Sequence, residues 1–232
     1  MLLLALDTSS PAAGMCLLQD GQVRAEWTLR GTSPRDSDHV GMLQEMLRRA
    51  RVSFADVGAL ACTIGPGGFT GLRVGLSFMK GLAMDGERPV FTVSTLHALA
   101  RSVATGPTPV VPCLDARRGE VYGAVFAGDT PLVAEGAYAP EQFADQVAQA
   151  VKGPTLWVGE GARVYREQLN RDPSGGEKFF APPHFDAPRA ATVAALAFDA
   201  WQRGEPGAPA TLVPNYLRAS AAELNSGSRK RA

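Results

Sequence analysis

The chain has little of what metal or disulfide chemistry needs. Its 232 residues include only three cysteines and three histidines. Cys16, Cys62 and Cys113 each lie inside an apolar segment, with no Cys-x-x-Cys pair, the pattern of reduced core residues in a cytoplasmic protein. His39, His97 and His184 never fall at His-x-x-x-His spacing, which excludes the helical zinc or iron motif. No apolar run approaches the ~20 residues that a membrane-crossing helix needs. Met1 to Leu6 opens like a leader, but Asp7 interrupts it and no basic residue precedes it, so a buried strand is expected there. Excess charge of either sign is missing too, since 23 basic side chains balance 23 acidic ones. A chain that grips nucleic acid unaided needs a basic surface to release counterions. Arg229-Lys230-Arg231, near the end of the sequence, reads as part of a flexible, solvated tail over 219–232.

What is present centres on Gly65-Pro66-Gly67-Gly68-Phe69-Thr70-Gly71. The segment follows an apolar run, Val57 to Ile64, and leads into a helical pattern of Leu72, Leu76, Met79, Leu82 and Ala83. Such a strand–glycine–helix turn has two physical uses. Its backbone N–H groups can hold a phosphate at the positive end of the helix dipole, or another backbone can come very close. No Gly-Lys-Ser/Thr follows, and the glycines do not match the dinucleotide fingerprint.

The pattern around this loop occurs twice. Leu2–Leu6, Ala13–Leu18 and Gln22–Leu29 read as strands, the last two joined by an Asp20-Gly21 hairpin turn. A helix capped by Asp36 or Ser37 places Val40, Leu43, Met46, Leu47 and Ala50 on one face. The Val57–Ile64 strand, the glycine loop with its helix, a Pro89–Val93 strand and a helix capped by Ser94 follow. The second half begins again with strands Pro109–Leu114, Glu120–Phe126 and Leu132–Glu135, then a helix from Glu141 to Val151 and a strand Thr155–Val158. Asp115 ends its first strand as Asp7 ends the earlier one, and Gly159-Glu160-Gly161 stands where the glycine loop stood. A last helix runs from Pro188 to Arg203. Two β-β-β-α-β-α units resemble the duplicated actin-like/Hsp70-like plan (ASKHA, ribonuclease H-like) shared with sugar kinases, an α/β fold. The expected lobes are 1–106 and 107–232, with 205–218 packing back on the first.

Sequence blocks sharpen the resemblance. Leu4-Ala5-Leu6-Asp7-Thr8-Ser9-Ser10, then Gly65 through Gly75 with Lys80-Gly81-Leu82-Ala83, resemble the TsaB family. Val93-Ser94-Thr95-Leu96, Asp115 through Tyr122 and Pro214-Asn215-Tyr216-Leu217-Arg218 continue the likeness in the family's order. The resemblance implies a non-catalytic subunit of the bacterial machinery that makes threonylcarbamoyladenosine beside the anticodon of tRNAs reading codons that begin with A. It implies a heterodimer with the paralogue TsaD, which carries the metal and transfers the threonylcarbamoyl group to adenosine N6. It further implies the ATPase TsaE as a third component, tRNA contact only through the complex, and a homodimer when TsaD is absent. No tightly bound cofactor is implied, and ATP or ADP with magnesium at or near the TsaD interface stays open. Two residues depart from the family pattern: Gly68 stands where Ser is commoner, and Asp38-His39 replaces a His-Ser pair, so His39 inherits no role and reads as a surface histidine.

Actin-like ATPases and sugar kinases open with Asp-x-Gly-Thr, whereas this chain has Asp7-Thr8-Ser9-Ser10. An ATP-dependent phosphotransferase nevertheless remains the alternative reading. In it, Asp7, Thr8, Gly65, Gly67, Gly68 and Thr70 would contact nucleotide phosphate. For pairing, Gly71 and Gly75 share a helix face and leave a groove for another helix. Met42, Leu43, Met46 and Met79 join them as the expected partner surface, methionine being adaptable. Gly75→Arg should then abolish pairing and spare the fold. Ser94 and His97 lie three apart, which raises a hydrolase reading, but Ser94 fits a helix cap and no oriented base is evident. Arg218 is a candidate phosphate or partner contact. Trp157, Tyr165 and Phe179-Phe180 read as core aromatics.

Overall fold

The computed structural model describes residues 1–31, 38–84, 88–104, 106–170, 176–207 and 212–217. Asp36, Ser37, Arg218 and the tail with Arg229-Lys230-Arg231 lie outside the described residues. In chain order the elements are β1 (Leu2–Asp7), β2 (Ala12–Gln19), β3 (Gln22–Arg30), α1 (His39–Ala50), β4 (Val57–Gly65), α2 (Phe69–Ala83), β5 (Val90–Ser94) and α3 (Thr95–Arg101). They continue with β6 (Val110–Arg117), β7 (Glu120–Ala127), β8 (Thr130–Tyr138), α4 (Pro140–Ala150), β9 (Thr155–Val158), α5 (Glu160–Val164), α6 (Arg166–Leu169), β10 (Lys178–Phe180) and α7 (Ala190–Gln202).

The duplication is visible in the strand order. One five-stranded sheet runs β3-β2-β1-β4-β5 and the other runs β8-β7-β6-β9-β10. In both, an antiparallel meander of three strands is extended by two parallel strands on the far side of the first. The β2–β3 hairpin turns at Asp20 and Gly21, both at positive φ, as the Asp-Gly pair predicts. The α1 cap is Asp38, whose carboxylate accepts the Gly41 N–H at 2.8 Å.

Both faces of the first sheet are covered, so its central strand is apolar without a break. Leu2, Leu4 and Leu6 point to α1 and α2, where Met42, Leu43, Met46, Leu76 and Met79 complete one core. Leu3 and Ala5 point the other way, to α7. That second face is built of small side chains: Ala5, Cys16, Ala59 and Ala61 meet Ala190, Ala194 and Ala197. Small against small lets α7 lie close to the sheet. In the second lobe, Val111, Cys113, Val121 and Val125 pack under α4 around Phe143 and Trp157. Its opposite face receives Leu96, Leu99 and Ala100 of α3.

The layers are therefore α1–α2, sheet, α3–α7, sheet, α4–α6. The lobes are not two consecutive halves of the chain, as a boundary at 106 had implied. Helix α7 lies in the second half of the sequence but covers the first sheet, because only that sheet offers the alanine-lined face it fits. The short strand β10 pairs with β9 through Phe179 and Phe180. Its three residues were too few to show a period in the sequence.

All three cysteines are buried and free, and burial pushes the Cys16 and Cys62 thiols up to about 12, which makes them inert packing groups. No helix among the described residues is long and apolar enough to cross a membrane.

Ala194→Leu tests the close fit of α7 on the first sheet. Overpacking there should lower stability by about 1–3 kcal/mol, read from the urea midpoint. A neutral result would mean that the alanine face has room to spare.

Candidate functional site

Asp7 ends β1 at the centre of the first sheet and is fully buried. One carboxylate oxygen, Oδ1, accepts the Ser9 N–H at 3.1 Å, the Ser9 hydroxyl at 2.7 Å and the Thr63 hydroxyl at 2.6 Å. The other, Oδ2, is buried with no hydrogen-bond partner among the described residues. Desolvation raises the Asp7 pKa, against the pull of the Thr63 and Ser9 hydrogen bonds. The carboxylate thus holds the turn 7–10 in shape.

The glycine loop docks on that turn. The Gly68 N–H donates to the Ser9 carbonyl at 2.7 Å. A Cβ on Gly67 would lie 2.3 Å from the Ser9 carbonyl oxygen, and one on Gly71 would lie 2.3 Å from that of Thr8. At Gly75 a Cβ would lie 2.1 Å from the Thr8 hydroxyl. Of the two uses open to such a loop, close backbone approach is the one realised. The Gly68 N–H expected to face a phosphate is already taken. Gly65, at φ 112°, is crossed by residues 212–217: the Asn215 N–H donates to the Ile64 carbonyl at 2.7 Å, and the Asn215 carbonyl oxygen lies 3.0 Å from where a Gly65 Cβ would be.

Asp7, Thr8, Gly65, Gly67 and Gly68 are therefore brought together, but against one another, while Thr70 sits apart on the exposed side of α2. The second lobe repeats the device. A Cβ on Gly159, at φ 104°, would lie 2.4 Å from the Cys113 carbonyl oxygen, and one on Gly161 would lie 2.6 Å from the Leu114 carbonyl carbon. Asp115 there accepts the Arg117 N–H at 2.8 Å and the Tyr165 hydroxyl at 3.1 Å, and pairs with the Arg117 guanidinium.

The expected partner surface needs correction. Met42, Leu43, Met46 and Met79 are buried in the first lobe's own core, and Gly71 and Gly75 face Thr8 rather than an open groove. Gly75→Arg would disrupt the fold, because the side chain would be driven into the 7–10 turn. Of the exposed residues of α2, Thr70, Val74, Ser77 and Gly81 are spaced four, three and four apart on the face opposite Leu72, Leu76 and Met79, while Phe69, Arg73 and Lys80 are exposed along its flank. A Cβ on Gly81 meets nothing within 4 Å. Val74 is 39% exposed and Val40, on α1, 55%. Between the helices, Thr8, Ser10, Pro11, His39, Gly71 and Val74 line a small hollow. His39 is buried against Phe78 (ring centroids 5.6 Å apart) rather than at the surface. The signal for this face was in the sequence, as a stripe of small residues in step with the buried leucines.

Ser94 and His97 do not form a nucleophile–base pair. The Ser94 hydroxyl caps α3 and donates to Glu135, while the His97 ring meets Asp129 at 3.0 Å and stacks on Phe126.

Comparison with known proteins places this geometry. The family model described as TsaD, tRNA N6-adenosine threonylcarbamoyltransferase, matches residues 37–225. The Escherichia coli tRNA threonylcarbamoyladenosine biosynthesis protein TsaB is 34% identical over 173 residues, covering 71% of this chain and 74% of that one. A Rhizobium etli tRNA N6-adenosine threonylcarbamoyltransferase is 43% identical over 67 residues, which is 28% of this chain and 18% of that one. A Pseudomonas aeruginosa structure described as similar to peptidase YEAZ superposes with a TM-score of 0.78 at 31% identity, covering 94% of this chain and 99% of that one.

Two outcomes test the turn. Alanine in an ordinary helix gains about 1 kcal/mol over glycine. Gly71→Ala should instead lose about 1–3 kcal/mol in chemical denaturation, because its Cβ meets a backbone oxygen. Gly75→Ala should cost less, since the Thr8 hydroxyl can rotate. For Asp7, a raised folded pKa means that the folded state holds the proton more tightly. The wild type is then favoured at low pH and loses stability as pH rises above the unfolded value near 4. Asp7→Asn should therefore gain on the wild type in urea midpoints as pH rises above about 4. A difference constant with pH would refute the desolvated carboxylate.

Proposed function

The chain belongs to the TsaB family, and from that premise we propose that it is the non-catalytic pairing subunit of a cytoplasmic TsaB–TsaD–TsaE assembly. The assembly transfers a threonylcarbamoyl group to N6 of the adenosine beside the anticodon, in tRNAs reading codons that begin with A. One observation carries this reading. The loop that would cradle a phosphate is spent on holding the 7–10 turn, and residues 212–217 lie across Gly65. With the loop consumed in this way, the chain's contribution is a shaped surface, and TsaD does the transfer chemistry.

The surface is the outward side of α1 and α2. Thr70, Val74, Ser77 and Gly81 present no bulky side chain, so a partner helix can approach α2 closely. Val40 and Val74, 55% and 39% exposed, have apolar area left to bury, roughly half of the ~1.5–3 kcal/mol that complete burial of such a side chain is worth. The TsaD family model matches residues 37–225 of this chain, α1 and α2 included, so TsaD presents a comparable pair of helices, and the two meet about a pseudo-twofold axis. Without TsaD, the same face pairs two copies of this chain. ATP or ADP with magnesium, where it takes part, is held by TsaD at or near the contact, and tRNA is engaged by the complex.

The test is threonylcarbamoyladenosine formation on unmodified tRNA with purified TsaD, TsaE and the adenylate-forming enzyme, with and without this chain. Modification should require the chain, and the chain alone should not hydrolyse ATP. Gly81→Arg should abolish co-purification with TsaD and modification together, with an unchanged thermal melt. Modification without the chain, alongside ATP turnover by the chain alone, would instead establish the phosphotransferase.

A further inference from the structure

Residues 212–217 do more than cross the glycine loop. Leu212 is buried in the first lobe's core, among Leu6, Leu76 and Met79, and Leu217 packs against the cluster of Leu96, Leu99 and Leu114 that backs the second lobe. The segment is thus a strap pinned at both ends, with the Asn215–Ile64 hydrogen bond in the middle. Between the pins Tyr216 turns outward. Its ring stacks on Phe69 at 5.5 Å and 25°. The Arg73 guanidinium lies 3.9 Å from the Phe69 ring centroid, and Arg73 Nε donates to the Tyr216 hydroxyl at 3.0 Å.

This ledge is ordered yet open. Phe69 is 43% exposed and Tyr216 39%. Both terminal nitrogens of Arg73 lack a partner among the described residues. A Tyr, a Phe and an Arg fixed in one geometry with their outer faces in water form the composition and rigidity that dominate binding energy at protein contacts. The ledge is also continuous with the pairing face, since Phe69 and Arg73 each directly precede a residue of the outward stripe, Thr70 and Val74.

We propose that the strap is part of the TsaD contact, with the Phe69–Tyr216–Arg73 ledge receiving an apolar side chain over the rings and a carboxylate on Arg73. This rests on the pairing reading above. TsaD is the occupant because the transferase family model matches this chain through both α2 and the strap. Two related lobes that pack α2 against α2 bring the flank of that helix, and so the ledge, into the same contact. The free guanidinium donors select an acidic rather than a basic partner group.

The test is the Kd between the full chain and purified TsaD by titration calorimetry, with thermal melts as the fold control. Tyr216→Ala and Arg73→Glu should each weaken binding by at least about tenfold. Arg73→Lys should not restore it, because an ammonium cannot stack and fork together. Tyr216→Phe keeps the ring and the seating of the strap, so it should weaken binding less than Tyr216→Ala. Trp201→Ala, on α7, should change nothing. If Gly81→Arg abolishes binding while Tyr216→Ala and Arg73→Glu bind as wild type does, the ledge is not in the contact and the pairing reading stands. If these variants change only self-association in sedimentation, the occupant is a second copy and the proposal fails. Failure of the wild-type chain to bind TsaD at all overturns the pairing reading itself.

Discussion

The contact between the 7–10 turn and the first turns of α2 holds the first lobe together. At Gly67 and Gly71 it is backbone on backbone, and Gly75 leaves room for the Thr8 side chain. The turn can be approached so closely because Asp7 holds it from within, taking three donors on one oxygen. Everything outward of that contact follows. Helix α2 is set at a fixed depth on the sheet, its leucines and methionine fill the core, and its opposite side is left bare. The second lobe uses the same solution at Gly159 and Gly161, where α5 meets the end of β6. The duplication has therefore preserved a mechanical joint, while the residues around it have diverged.

Much of the fold was legible. Unbroken apolar strands announced a sheet covered on both faces, Asp20-Gly21 announced a hairpin, and the recurrence of aspartate-ended strands announced two equivalent units. What periodicity could not supply was direction. Met42, Leu43 and Met46 share a face with one another, but the same spacing describes a core stripe and a docking stripe. The choice depends on where the sheet lies, and that is set by contacts distant in sequence. The glycine pair Gly71–Gly75 misled for the same reason: a groove was correctly inferred, but the turn at Thr8 fills it. The glycine that does face solvent is Gly81, less conspicuous because it stands outside the motif.

The small-residue logic of α7 was also only half visible. An alanine-rich helix declares that it packs closely on something, but not on which sheet. The match lies in Ala5, Ala59 and Ala61, which are scattered over the first third of the chain. Strap residues Leu212 and Leu217 pose the same difficulty, since two apolar residues in a short segment carry no period at all. Their role emerges only when the two cores they enter are known.

The position of α7 has a consequence for how the protein is made. The first sheet can pair its strands and bury its α1–α2 side early in synthesis, but its other face, with Leu3, Ala5, Phe91 and Val93, is met only by Ala98 of α3 until α7 is complete. During elongation, the whole second lobe must be translated while that apolar face stays unsealed. A chain of this design favours slow, non-local closure over lobe-by-lobe folding. The nascent polypeptide therefore presents a chaperone-accessible surface from the completion of β5 to the arrival of α7, the last helix.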